Sequence, residues 1–170
     1  MILPSFQALS RNYPTTQNGA AVRQEIGGGV LDSWLGENTC VIRMCKSFNY
    51  AGKAYEIPKS GRMHTVPGAD GKYYAYKVLE FIEFLTTTYG RPNITSNESK
   101  ISIDPFKGKT GIIAWHINGW SDARGHFTLW DGSTGLYEGT HDYFRDFRTT
   151  RPGRNEQRVP YLTQVQLWKC

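Results

Sequence analysis

A chain of 170 residues, 39% hydrophobic and 21% charged, has the composition of one folded domain spanning 1–170, which excludes a disordered polymer. Lys and Arg outnumber Asp and Glu by 20 to 15, but the densest basic group, Arg145, Arg148, Arg151, Arg154 and Arg158, is interrupted by Asp146 and Glu156, which reads as a solvated face and excludes a nucleic-acid footprint. No stretch nears the roughly 20 apolar residues of a membrane helix, so no stable membrane association is expected, and Met1-Ile2-Leu3-Pro4 opens without the charged start and apolar run of a signal peptide.

Residues 3–25 are polar with apolar anchors at Phe6, Leu9, Tyr13 and Val22, and are expected to hold an N-terminal helix. Gly27-Gly28-Gly29 then interrupts the chain. It lacks the context of a phosphate loop and reads as a place where backbone passes close to another element. The segment 38–50 predicts a helix that Asn38 or Thr39 can cap and Ala51-Gly52 closes. Val41, Met44, Cys45 and Phe48 recur at helical spacing as its buried stripe, while Cys40, Arg43 and Ser47 fall on a neighbouring face.

Residues 53–73 read as an irregular polar excursion with turns at Pro67-Gly68 and Asp70-Gly71. A second amphipathic helix is expected over 76–89, built on Val78, Phe81, Ile82 and Leu85, and stopped by Gly90-Arg91-Pro92. Strand signals follow at 111–117, at 126–130, at 134–138 after a turn at 131–133, and at 164–168. With 18 glycines, 8 prolines, helices first and strands afterwards, the order predicts an α+β fold rather than a doubly wound one.

Among the three cysteines, Cys45 belongs to the packing stripe and Cys40 to the helix start. A helix N-terminus lowers a thiol pKa, which favours the reactive thiolate at Cys40. Such a nucleophile needs a base, and the base an orienting group. His126 opens a strand after a Gly-rich approach, 118–125, that lets it meet another element closely. If the hairpin centres on Gly132, Glu138 faces His126 and can hold its far ring nitrogen, with Asp131 and Asp142 in reserve.

The remaining histidines have bland readings. His116 is taken as a core or strand residue, and His64 and His141 as loop residues, because no pair has ligand spacing and no metal is called for. Trp115, Trp120, Trp130 and Trp168 read as core or groove walls.

Three patterns together resemble a family: Glu37-Asn38-Thr39-Cys40-Val41-Ile42-Arg43-Met44, then Pro67-Gly68-Ala69-Asp70-Gly71-Lys72-Tyr73-Tyr74-Ala75-Tyr76, then Gly119-Trp120-Ser121-Asp122-Ala123-Arg124-Gly125-His126-Phe127-Thr128-Leu129-Trp130-Asp131-Gly132. Their order and spacing are similar to the fourth family of type VI secretion amidase effectors, members of the NlpC-type, papain-like cysteine peptidases. The resemblance implies a papain-like fold with the nucleophile helix packed on a central antiparallel sheet. It also implies a thiol amidase that a bacterium injects, through the type VI secretion apparatus, into the periplasm of a rival.

There it would hydrolyse peptidoglycan stem peptides between D-glutamate, through its γ-carboxyl, and meso-diaminopimelate, without a cofactor. The resemblance further implies a cognate periplasmic immunity protein that plugs the groove, and it assigns Cys40 as nucleophile and His126 as general base and acid. Family members place an aspartate soon after the His strand, sometimes flanked by two cysteines. This chain has neither cysteine there, and Glu138 stands nearest the aspartate's place. Backbone N–H groups at the helix start, that of Cys40 included, are expected to hold the oxyanion, and Arg43, Arg124 or Lys46 to attract substrate carboxylates.

Overall fold

The computed structural model describes residues 1–16, 18–97, 101–119, 124–132, 135–136, 144 and 159–170. The chain divides into two compact units, Met1–Gly90 and Arg91–Cys170. The first holds the helices and the second the large sheet, which is the α+β order expected.

In the first unit, α1 spans Phe6–Arg11 and α2 spans Gly19–Ile26. Each has its own cap: Ser5 Oγ accepts from the Ala8 N–H, and Asn18 Oδ1 from the Ala21 N–H. The single N-terminal helix expected over 3–25 is therefore two. Pro14 bars helical geometry at the residue before it and separates them.

Helix α3 spans Cys40–Tyr50. A small antiparallel hairpin follows, β1 (Thr65–Pro67) and β2 (Tyr73–Ala75), within the stretch expected to be irregular. Three residues per strand are too few for alternation to show. Helix α4, Val78–Tyr89, ends at Gly90 as expected. Leu9, Val22, Met44, Phe48, Phe81 and Leu85 fill the unit's core, with the Phe48 and Phe81 rings edge to face at 6.0 Å.

The glycine run does bring backbone close to backbone. Gly28 takes a φ of +64°, and a Cβ there would lie 2.7 Å from both Ala69 N and Gly68 C. The Ala69 N–H meanwhile donates to the Ile26 carbonyl at 3.2 Å, pinning the loop after β1 to the end of α2.

Among the described residues, the second unit forms a five-stranded antiparallel sheet in the order β3-β7-β4-β5-β6. Its strands are β3 (Ile94–Ser96), β4 (Thr110–Asn118), β5 (Gly125–Asp131), β6 (Gly135–Leu136) and β7 (Tyr161–Lys169). β4 is central and buried on both faces, which explains its near-continuous apolar sequence. One face carries Ile113, Trp115, Ile117, Trp130, Leu162, Val165 and Leu167, closed by Ile101 and Phe106.

Candidate active site

Cys40 opens α3 and is buried, 3% exposed. Asn38 turns back over this start: its Oδ1 accepts the Cys40 N–H at 3.1 Å. Of the two caps the sequence allowed, Asn38 thus supplies the side-chain acceptor. Thr39 Oγ1 instead accepts from Arg43 Nε at 3.1 Å, and the Thr39 carbonyl accepts the Arg43 N–H at 2.9 Å. The Cys40 N–H, expected to serve the oxyanion, is occupied in this state by Asn38. Helix geometry leaves the N–H groups of Val41 and Ile42, next in the first turn, without intrahelical acceptors.

The face shared by Cys40, Arg43 and Ser47 is buried along its length. Arg43 Nη1 donates to the Pro14 carbonyl at 2.9 Å and to the Thr16 carbonyl, so its guanidinium ties the segment ahead of α2 to α3. This corrects the expectation that Arg43 attracts substrate carboxylates, since its fork is committed to backbone oxygens. Lys46 pairs with Glu25, and Arg124 is exposed. Ser47 Oγ donates to the Leu9 carbonyl at 2.6 Å, joining α3 to α1.

Cys45 faces the opposite way, as the helical phase requires. Its fully buried Sγ accepts the Ala75 N–H at 3.2 Å and fastens α3 to β2. Burial pushes this thiol far above its ordinary range, against the modest opposing pull of the Ala75 hydrogen bond, so Cys45 stays protonated and inert. Two cysteines on one helix thus have separate fates, set by which face each occupies.

His126 is the second residue of β5 and half-buried. It stands directly across from Trp115 of β4, with ring centroids 6.0 Å apart, on the sheet face that carries Ile113 and Trp130. Trp115 and Trp130 also pack on Phe144 at 6.2 and 5.9 Å, so the imidazole sits at the end of an aromatic row. Trp115, Trp130 and Trp168 are core, as read from sequence, and residues 120–123 lie outside the described residues.

Among the candidate acids, Asp131 closes β5. An odd separation along a strand puts it on the opposite face from His126, and five residues amount to about 17 Å. It does not reach the imidazole. Glu138 and Asp142 lie outside the described residues. The register Trp130↔Leu136 and Asp131↔Gly135 centres the hairpin one residue beyond Gly132, because β5 runs one residue further before the chain turns than expected. Hence the symmetry that set residue 138 directly across from His126 does not hold.

Elsewhere, His116 is a strand residue whose Nε2 meets Gln166 Oε1 at 2.9 Å. His64 is exposed, with its Nδ1 2.8 Å from Glu80 Oε1, and His141 lies outside the described residues. Among the described residues, no group of three His, Cys, Asp or Glu side chains is placed to hold a metal. Trp34, which the sequence reading passed over, is 61% exposed. Its setting between Asp32-Ser33 and Leu35-Gly36, a polar turn rather than a periodic element, was the available signal.

A thiol at a capped helix start and an imidazole at a strand start are groups of the kind a cysteine hydrolase uses. The comparisons agree with that chemistry. The family model described as type VI secretion system amidase effector protein 4 matches residues 37–168, a span that includes both groups. Three solved structures are similar over nearly the whole chain. One is the type VI effector–immunity complex Tae4–Tai4 from Enterobacter cloacae, at 29% identity, covering 99% of each chain, with a TM-score of 0.75.

The second is the effector Tae4 from Salmonella typhimurium in complex with the immunity protein Tai4 from Enterobacter cloacae, at 32% identity, covering 98% of this chain and 99% of that one, with a TM-score of 0.76. The third is the type VI effector Tae4 from Enterobacter cloacae, at 29% identity, covering 99% of this chain and 97% of that one, with a TM-score of 0.74. A search of curated proteins finds no match.

Proposed function

We propose, because this chain belongs to the family of type VI secretion system amidase effector protein 4, that Cys40 is its nucleophile and His126 its general base and acid. The chain is an amidase effector acting on peptidoglycan, it is delivered to target cells, and its partner is a cognate immunity protein. The observation that carries the residue assignment is the Asn38-capped helix start at Cys40, inside the matched span.

The reaction follows from these groups. The Cys40 thiolate attacks the γ-carbonyl carbon of the D-glutamyl residue, and electrons move to the oxygen. N–H groups of the first turn of α3, those of Val41 and Ile42, hold the oxyanion, joined by that of Cys40 once the substrate carbonyl displaces Asn38 Oδ1. The C–N bond breaks as His126, now imidazolium, protonates the departing amine of meso-diaminopimelate. Imidazole then takes a proton from water, the hydroxide opens the thioester, and the glutamyl carboxylate leaves with the thiol restored. Glu138 or Asp142 holds the far nitrogen of His126, since Asp131 faces away. Residues 1–170 act as one amidase domain, and the site of action is the periplasm of the target cell.

Incubating purified muropeptides with the protein and weighing the products tests this. The expected products are the disaccharide bearing L-Ala-D-Glu and the peptide starting at meso-diaminopimelate. Cys40→Ala and His126→Ala should leave the substrate whole while melting near wild type. Stems still intact after prolonged incubation with the wild type would refute the assignment.

A further inference from the structure

Trp34 stands in the short 3₁₀ turn Ser33–Leu35 with most of its indole in solvent. Its one polar atom is already engaged, Nε1 donating to Asp32 Oδ2 at 3.2 Å, so the surface it still offers is the ring itself. Tyr76 meets it edge-on, with centroids 5.3 Å apart and planes at 83°, and the two rings form an angled wall. His64 lies beyond Tyr76 at 6.4 Å, and Lys77 Nζ is 5.9 Å from the Tyr76 ring.

The charges in this cluster answer one another. Glu80 Oε1 takes His64 Nδ1 at 2.8 Å and Lys77 Nζ at 3.3 Å, and Glu80 Oε2 accepts the His64 N–H at 2.7 Å. With Lys77 and Glu80 paired and the Asp32 carboxylate taking the indole N–H, the cluster is not built around an ionic ligand. It presents an apolar ring face bordered by hydrogen-bonding groups, which matches a neutral pyranose with an apolar C–H face and a polar edge. A protein-docking surface would instead need a contiguous apolar patch of several hundred Å².

The chain itself ties this wall to the nucleophile. Six residues separate Trp34 from Cys40, which bounds their separation at about 20 Å. In a muropeptide, L-Ala and D-Glu link the sugar's lactyl group to the scissile bond, a span on the order of 10 Å. The proximity of Trp34 to Cys40 along the chain is compatible with a sugar ring of the glycan strand lying on Trp34 while its stem reaches Cys40.

We infer that Trp34 and Tyr76 form a glycan subsite that takes an N-acetylated sugar ring of peptidoglycan, so that the enzyme prefers stems still attached to their strand. This rests on the amidase reading above, and two measurements separate the two. First, kcat/KM is measured on the disaccharide-tetrapeptide and on the same tetrapeptide freed of sugar. Trp34→Ala should lower the value on the sugar-bearing substrate about tenfold, mainly through KM, and change the free peptide by less than about twofold, while Trp34→Phe retains most of the activity. The free peptide serves as the internal control for folding.

Second, retention of Cys40→Ala protein on peptide-free glycan strands needs no catalysis. It should be retained, and the Cys40→Ala/Trp34→Ala double variant released. Equal losses on both substrates, no loss on either, or failure to retain peptide-free glycan overturns the subsite. So does a Trp34→Ala effect confined to binding of the immunity protein. If the wild type cleaves no stem but Cys40→Ala still holds glycan through Trp34, the amidase reading falls and the subsite stands.

Discussion

At the scale of single residues, the separation of Cys40 from Cys45 is a matter of helical phase. Five residues turn the helix by 500°, so the two thiols leave it on different sides. Cys45 is sealed against Ala75, and burial keeps it protonated well past the pH where an open thiol ionises. Alkylation of the native protein at mildly alkaline pH, followed by mass mapping, should therefore leave Cys45 unmodified until the chain is unfolded; a modified Cys45 in native protein would contradict this. Arg43 argues the reverse case, a charged residue whose place is inside. Arg43→Ala leaves the Pro14 and Thr16 carbonyls and Thr39 Oγ1 without that donor, at a cost of about 3 kcal/mol. Arg43→Lys should recover only part of that, because an ammonium cannot reproduce the guanidinium fork. Denaturant unfolding of the two variants measures both, and stabilities equal to that of the wild type would show that the fork contributes nothing.

At the scale of elements, what could be read in advance was what repeats locally. The stripe of α3, the apolar run of β4 and the stop of α4 at Gly90 all lie within a few residues of their causes. The strands β1, β2 and β3 have three residues each and no period to display. Arg43 was misread because its backbone acceptors lie 29 and 27 residues upstream, beyond any local pattern. The hairpin of β5 and β6 centres one position later than a turn on Gly132 would place it, because no local period marks where a strand ends and its turn begins. The glycine run was legible because three consecutive glycines have few purposes other than close backbone approach. Gly28→Ala should thus destabilise the first unit by about 3 kcal/mol, combining strain at a positive φ with a Cβ pressed on the Gly68–Ala69 peptide. A neutral Tm for that variant would mean the loop after β1 can give way.

At the scale of the whole molecule, lethality depends on where the folded chain meets its substrate. Peptidoglycan stems lie outside the cytoplasmic membrane, and no helix among the described residues is long and apolar enough to cross one. Produced in the cytoplasm of a susceptible bacterium, the protein should be tolerated, whereas the same chain directed to the periplasm by an added leader should lyse the cells. Cys40→Ala directed there should be harmless at equal abundance, because removing Sγ removes the proposed nucleophile while leaving the α3 packing of Met44, Cys45 and Phe48 in place. Co-production of the cognate immunity protein in the periplasm should restore growth, and the same immunity protein held in the cytoplasm should not. Growth curves with muropeptide profiles from the same cultures distinguish wall cleavage from general toxicity. Lysis by the Cys40→Ala protein, or lysis with an unchanged muropeptide profile, would mean that the chain kills by something other than its thiol.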